Sequence, residues 1–275
     1  MSVLPAPTLI ETSYGKLAVY SAGSNTELPA VLCIHGNSSS SEIFRPIFAS
    51  GISSTRRVLS LDLPGHGASE NAKDPKITYT MPAYAKAAAE VLGKLGVEKV
   101  VVLGWSLGGH IGVEMLPLLA PGGTVRGLAM AGSLLVGLYP QALDDERTRW
   151  NLRQDHSEAE LEGFARGGTG GPYEEWMKQA CIRTDPKARR VLFQNLGYGD
   201  CSDQQLLAAE TAVPTMVVVG TDEPHLNNGM IKGLKYGNLW GGKVVEIPSG
   251  QHCPLWEKPE VFVPTFEKFL ADVSN

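Results

Sequence analysis

The chain has 275 residues, of which 43% are apolar and 19% charged, with a formal net charge of −5 and a pI near 5.7. That length supports one large core, or a core carrying a small inserted module, and the composition is that of an ordinary globular protein. The acidic balance argues against nucleic acid, which a basic face would recognise, and leaves a small neutral or weakly charged molecule as the expected partner.

The first fifteen residues, MSVLPAPTLIETSYG, lack a basic stretch and an apolar stretch and are broken by Pro5 and Pro7. They do not read as a signal peptide. No run approaches the roughly 18 to 20 apolar residues that span a bilayer. Cys33, Cys181, Cys201 and Cys253 are far apart with no CxxC pair, so neither a disulfide framework nor a zinc site is expected. A reducing, cytoplasmic setting follows, with no metal and no cofactor.

Short β-branched runs over 16–20 and 30–35 predict the first strands, the second ending in the turn HGNSSS. A strand over 58–62 runs into DLPGHG, and an alanine-rich helix follows over 81–95. The run VVVLG at 100–104 is almost continuously apolar, as a central parallel strand covered on both faces must be. A helix over 107–119 and a strand over 125–130 come next. The strands TMVVVG (215–220) and 244–247 close the set. Strand and helix in alternation predict a mostly parallel, doubly wound α/β sheet.

Residues 134–211 contain helix starts but no convincing strand, and they read as a helical cap inserted before the strand at 215. The core is then 1–133 with 212–275. Ser157 and Glu160 form an S-x-x-E capping box, Pro172 stands at an expected first helical position, and Asp185-Pro186 opens a helix that should stop at Gly197. GGTGG at 167–171 reads as a flexible hinge or loop.

Gly104-Trp105-Ser106-Leu107-Gly108 is G-x-S-x-G between a buried strand and a helix, the setting this motif requires. The serine occupies a sharp strand-to-helix turn, and side chains two positions before and after it would collide with it. Oγ then stands at a helix N-terminus, where developing negative charge is favoured. A serine hydroxyl is a poor nucleophile until a base removes its proton.

Of the six histidines, His35, His66, His110 and His156 read as structural or solvated. His252, in SGQHCPLW after the last strand, is the expected base, with His225 as its competitor. The acid should follow TMVVVG, in Gly220-Thr221-Asp222-Glu223-Pro224, where Glu223 is preferred to Asp222. Acyl transfer also needs donors for the oxyanion. The backbone N–H of Leu107 is one, and Asn37 in HGNSSS is the second, with Ser38 in reserve. The aromatic residues Trp150, Phe164, Tyr173 and Trp176 are candidate walls of the substrate pocket.

These motifs together resemble the α/β-hydrolase superfamily. HGNSSS, GWSLGGHIG, RTDPKARR and YGNLWGGK resemble the N-acyl-homoserine lactonases built on that fold. The resemblance implies a metal-independent opening of the lactone of bacterial quorum signals by a Ser-Glu-His triad, here Ser106, Glu223 and His252. At Phe164 it would lead one to expect a tyrosine able to hydrogen-bond the substrate. General carboxylesterases, carbon–carbon bond hydrolases and small-molecule receptors share the fold and remain open alternatives.

Overall fold

The computed structural model describes residues 4–137, 146–197 and 200–274. Eight strands form one sheet: β1 (Thr8–Thr12), β2 (Gly15–Ala22), β3 (Ala30–Ile34), β4 (Val58–Leu61), β5 (Val100–Trp105), β6 (Val125–Ala131), β7 (Thr215–Gly220) and β8 (Val245–Ile247). Their spatial order is β1-β2-β4-β3-β5-β6-β7-β8. β2 is antiparallel to β1 and to β4, and every other neighbour pair is parallel. Because β3 and β5 to β8 run the same way, the loops that follow them gather at one sheet edge.

The central strands β3, β5 and β7 are buried along their whole length, as expected of strands covered on both faces. Alternation at period two divides their side chains between two cores. Leu32, Val102, Met130 and Val217 face one, with Tyr84, Val91 and Ile111 from the helices; Cys33, Leu103, Ala129 and Met216 face the other, with Phe262, Phe266 and Phe269. Strand β1 lay outside the sequence expectation. Its TLIET pairs on one side only and is mostly exposed, so it carries no run of apolar residues to betray it.

The helices of six or more residues are α1 (Met81–Lys94), α2 (Leu107–Leu119), α3 (Glu146–Asn151), α4 (Glu158–Thr169), α5 (Glu175–Arg183), α6 (Pro186–Gly197), α7 (Gln204–Glu210), α8 (Asn228–Gly233) and α9 (Pro259–Asp272). The segment expected to be helical between β6 and β7 contains α3 to α7; its residues 138–145 and 198–199 lie outside the described residues. The Ser157–Glu160 capping box is formed reciprocally at the start of α4.

Two expectations need correction. GGTGG is not a free hinge: Gly167, Gly168 and Thr169 complete the last turn of α4, and Gly170 caps it at φ +72, the left-handed position that suits glycine. Packing overrides the weak helix propensity, because Ala165 and Thr169 are buried on the inner side of that turn. Pro172 does not begin a helix either. Residues 172–174 have no regular structure, Glu174 stands extended at the N-cap position of α5, and the Pro172 carbonyl accepts a hydrogen bond from Trp256 Nε1 at 2.9 Å.

Candidate active site

Ser106 stands between the end of β5 and the first residue of α2, with φ 52 and ψ −117. A non-glycine residue there is strained, and such strain persists only where its surroundings over-determine it. Here they do. Ser106 N–H donates to the Ala131 carbonyl at 2.8 Å, and Ser133 Oγ donates to the Ser106 carbonyl at 2.8 Å. The flanking glycines admit no side chain: a Cβ on Gly104 would lie 2.2 Å from the Gly108 carbonyl oxygen, and one on Gly108 would lie 1.9 Å from the Ile34 carbonyl oxygen.

The loops after β7 and β8 bring the other two residues to this turn. His252 Nε2 lies 3.2 Å from Ser106 Oγ, and His252 Nδ1 lies 2.8 Å from Glu223 Oε2. The His252 and Glu223 side chains are 2% and 1% exposed, so the pair is shielded from water. A carboxylate only accepts, so Nδ1 carries the proton toward Glu223, and Nε2 of the neutral ring is left to accept from the serine hydroxyl.

Burial pushes the Glu223 carboxyl upward, but its hydrogen bond to His252, the charge of His252 and the His225 N–H outweigh this, and the net direction is down. That N–H donates to Glu223 Oε1 at 2.7 Å. Asp222 is exposed and accepts from Thr221 Oγ1 at 3.0 Å. His225 Nε2 donates to the Gly167 carbonyl at 2.7 Å, which turns it toward α4.

The loop after β3 supplies the opposite wall. Ser38 holds φ 57 while nearly buried, and Arg189 of α6 donates to its Oγ at 3.3 Å. Asn37 Nδ2 donates to Asn151 Oδ1 of α3 at 2.9 Å. The Leu107 N–H is at the first position of α2, where a helix offers it no internal acceptor.

Ser106 and His252 open on a cavity of about 40 Å³, lined also by Asn37, Phe164, Met177 and Cys181. It has room for a few waters at roughly 10–15 Å³ apiece. Of the four aromatic residues expected to line it, Phe164 does. Trp150 stands behind Phe164, stacked on it at 4.4 Å between ring centres. Tyr173 lies instead beneath the Arg166 guanidinium, and Trp176 packs edge-on against Trp256. Ala165, Gly168, Thr169, Met177 and Cys181 were missed. Their signal was helical spacing, 165/169 on α4 and 177/181 on α5. Among the described residues no three His, Cys, Asp or Glu side chains gather as a metal-holding group, and no helix is long and apolar enough to cross a membrane.

The model of the "Alpha/beta hydrolase family" matches residues 31–265. The chain belongs to the alpha/beta hydrolase family. Solved structures of N-acyl homoserine lactonase AidH are similar throughout. The complex with N-butanoyl homoserine superposes with a TM-score of 0.91 at 36% identity, covering 98% of this chain and 97% of that one. A mutant complexed with N-hexanoyl homoserine lactone gives 0.90 and 36%, with 98% of each covered.

Among curated relatives, an uncharacterized protein of Mycobacterium tuberculosis (strain ATCC 25618 / H37Rv) is 31% identical over 98% of this alpha/beta hydrolase and 82% of the relative. "Protein PHYLLO, chloroplastic" of Arabidopsis thaliana is 23% identical; 94% of this alpha/beta hydrolase matches 16% of that far longer protein. The family and the similarity to the AidH lactonase support an ester-hydrolase activity for the chain.

Proposed function

We propose that this alpha/beta hydrolase cleaves a carboxylic ester or lactone through an acyl-enzyme on Ser106, and that its substrate is an N-acyl-homoserine lactone. One observation carries the reading: Glu223, His252 and Ser106 form a continuous hydrogen-bonded chain that opens on the cavity. The similarity to AidH over nearly the whole length supports the choice of substrate. The four free cysteines, three of them buried, suit a reducing cytoplasm.

In this mechanism His252, held in one tautomer by Glu223, takes the Ser106 proton as Oγ attacks the lactone carbonyl. The oxyanion is met by the backbone N–H groups of Leu107 and Asn37, each donor of this type being worth about 3 kcal/mol in the barrier. The ring C–O bond breaks, and His252 protonates the leaving alkoxide, which stays tethered to the acyl group. Water then gives up a proton to His252 and attacks the ester on Ser106; the product is the ring-opened hydroxy acid, and Oγ recovers its proton. The segment 134–211 acts as a cap, with Phe164, Met177 and Cys181 as its contribution to the pocket and the Trp150 ring as a backing to Phe164.

The test is a hydrolysis screen of homoserine lactones with short and long acyl chains, beside p-nitrophenyl esters and simple lactones. The homoserine lactones should turn over best. Ser106→Ala should lower kcat at least about a thousandfold while the fold is retained, the remaining rate coming from binding and the oxyanion donors. Near wild-type turnover in that variant would remove Ser106 as nucleophile. Preference for simple esters would keep the mechanism and replace the substrate.

A further inference from the structure

His252 belongs to an irregular stretch between β8 and a helical turn at Pro254–Glu257, so regular structure does not fix its backbone. Glu257, the last residue of that turn, does so instead. Its Oε2 accepts the N–H of Gln251, and its Oε1 accepts the N–H of Cys253 at 2.7 Å. These are the residues immediately before and after His252. A single carboxylate thus grips the chain on both flanks of the histidine through two charge-assisted bonds, roughly twice as strong as neutral ones.

Two further contacts close the cradle. Trp105 Nε1 donates to the His252 carbonyl at 2.9 Å. A Cβ on Gly132 would lie 2.4 Å from that same carbonyl oxygen, so the strand beside the nucleophile approaches as closely as a backbone can. On its other side Glu257 meets the turn between α4 and α5: a Cβ on Gly171 would lie 2.7 Å from Glu257 Cγ, and one on Gly170 would lie 3.0 Å from its Oε1. The carboxylate therefore sits between the histidine loop and the helices that wall the cavity.

We propose that Glu257 is a positioning residue of the hydrolytic site. It holds the His252 ring in line between Glu223 and Ser106 by fixing the backbone on both sides, and it touches neither substrate nor a reacting atom. The proposal rests on the reading of Ser106 and His252 as nucleophile and base. An ion that merely closed a turn would affect stability alone. A group that places the base acts on the chemical step, where a misplacement near 1 Å can cost about a hundredfold.

Glu257→Gln keeps the size but turns an amide NH2 toward one of the two N–H donors. We expect kcat per active site, titrated with a serine-reactive fluorophosphonate, to fall at least about tenfold, with KM within about twofold of wild type. Glu260→Gln, an exposed carboxylate on α9, serves as the control and should leave both constants unchanged. Unchanged kcat per titrated site in a folded Glu257→Gln variant overturns the proposal, even if its unfolding midpoint drops.

If that variant does not fold, Glu257→Asp carries the test. The charge is kept but one methylene of reach is lost, so kcat should again fall with KM retained; an unchanged kcat is again fatal to the proposal. Ser106→Ala is measured alongside. If it retains turnover, the reading of the site has failed. If it is inactive while Glu257→Gln is normal, only the role of Glu257 has failed.

Discussion

At the scale of single residues, the two adjacent carboxylates after β7 offer the sharpest test. Glu223 gives one oxygen to the His252 ring and the other to the His225 N–H, with its side chain 1% exposed. Asp222 is exposed and spends its carboxylate on Thr221. Glu223→Gln should therefore lower kcat steeply, on the scale of the roughly ten-thousandfold cost of the corresponding Asp→Asn change in serine proteases. Asp222→Asn should leave kcat nearly intact and change stability by no more than about 0.5 kcal/mol. Steady-state rates on the preferred ester or lactone decide it, and the opposite ranking would reassign the acid. Spacing alone could not make this choice, because one residue of loop length turns either side chain inward. What fixes the loop is its bonding: Glu223 N–H closes a local turn onto the Gly220 carbonyl, and Asp222 N–H bonds the Gly250 carbonyl, which ties the loops after β7 and β8 together across a long stretch of sequence. That Ser106 and His252 come together was legible because the serine motif adjoins the buried strand β5 and the histidine lies in the loop after the last strand, β8. Thr169, Met177 and Cys181 carry only the helical spacing that puts them on an inner face, and that spacing does not tell which part of the face meets a cavity and which meets core.

At the scale of elements, the strand–serine–helix turn and α4 use glycine for opposite reasons. Gly108 is where the backbone of α2 passes β3 too closely for any side chain. Gly163 lies exposed within α4 with nothing within 4 Å of a Cβ. Gly108→Ala should destabilise the protein by about 3 kcal/mol or more, the upper end for overpacking a tight site. Gly163→Ala should stabilise it by about 0.5–1 kcal/mol through lower backbone entropy in the unfolded chain. Urea unfolding with unchanged m-value measures both, and a neutral Gly108→Ala would disprove the steric account of the turn. The same contrast explains where element prediction held and where it did not. The start of α2 follows from the serine turn, and the expected bounds, 107–119, match residue for residue. The sequence predicts a hinge or loop at the end of α4 because its glycines have poor helix propensity, and tertiary packing of Ala165 and Thr169 prevails over that local preference.

At the scale of the whole molecule, the parallel arrangement lets residues 106, 223 and 252 meet, since β5 to β8 are neighbours that all end at one edge. Alternation of strand and helix announced such a sheet, but not the order of its strands, which long-range pairing decides. That same edge buries two histidines that take no part in the proposed chemistry. His35 is fully buried and His66 is 1% exposed, with ring centres 5.1 Å apart. Burial lowers both from 6.5; for His66 the charge of His35 adds to this, while for His35 Asp62 opposes it. A base held below its unfolded value is neutral in the folded state while the unfolded chain already binds a proton. Stability is therefore full above pH 6.5 and declines as pH falls below that value toward the folded pKa of each ring. Glu223, lowered from 4.5, adds a second loss only below about pH 4.5, whereas Glu42 and Glu257, raised by burial, act in the opposite sense just above it. The guanidinium midpoint should then drop between pH 7 and 5. Ring signals of His35 and His66 in the folded protein should titrate below 6.5, the value at which the unfolded chain takes up its protons. Burial lowers His110 and His156 in the same direction and adds to the loss; a flat midpoint across that range, or His35 and His66 rings that titrate at or above 6.5 in the folded state, would refute the claim that buried histidines set the acid limit of the fold.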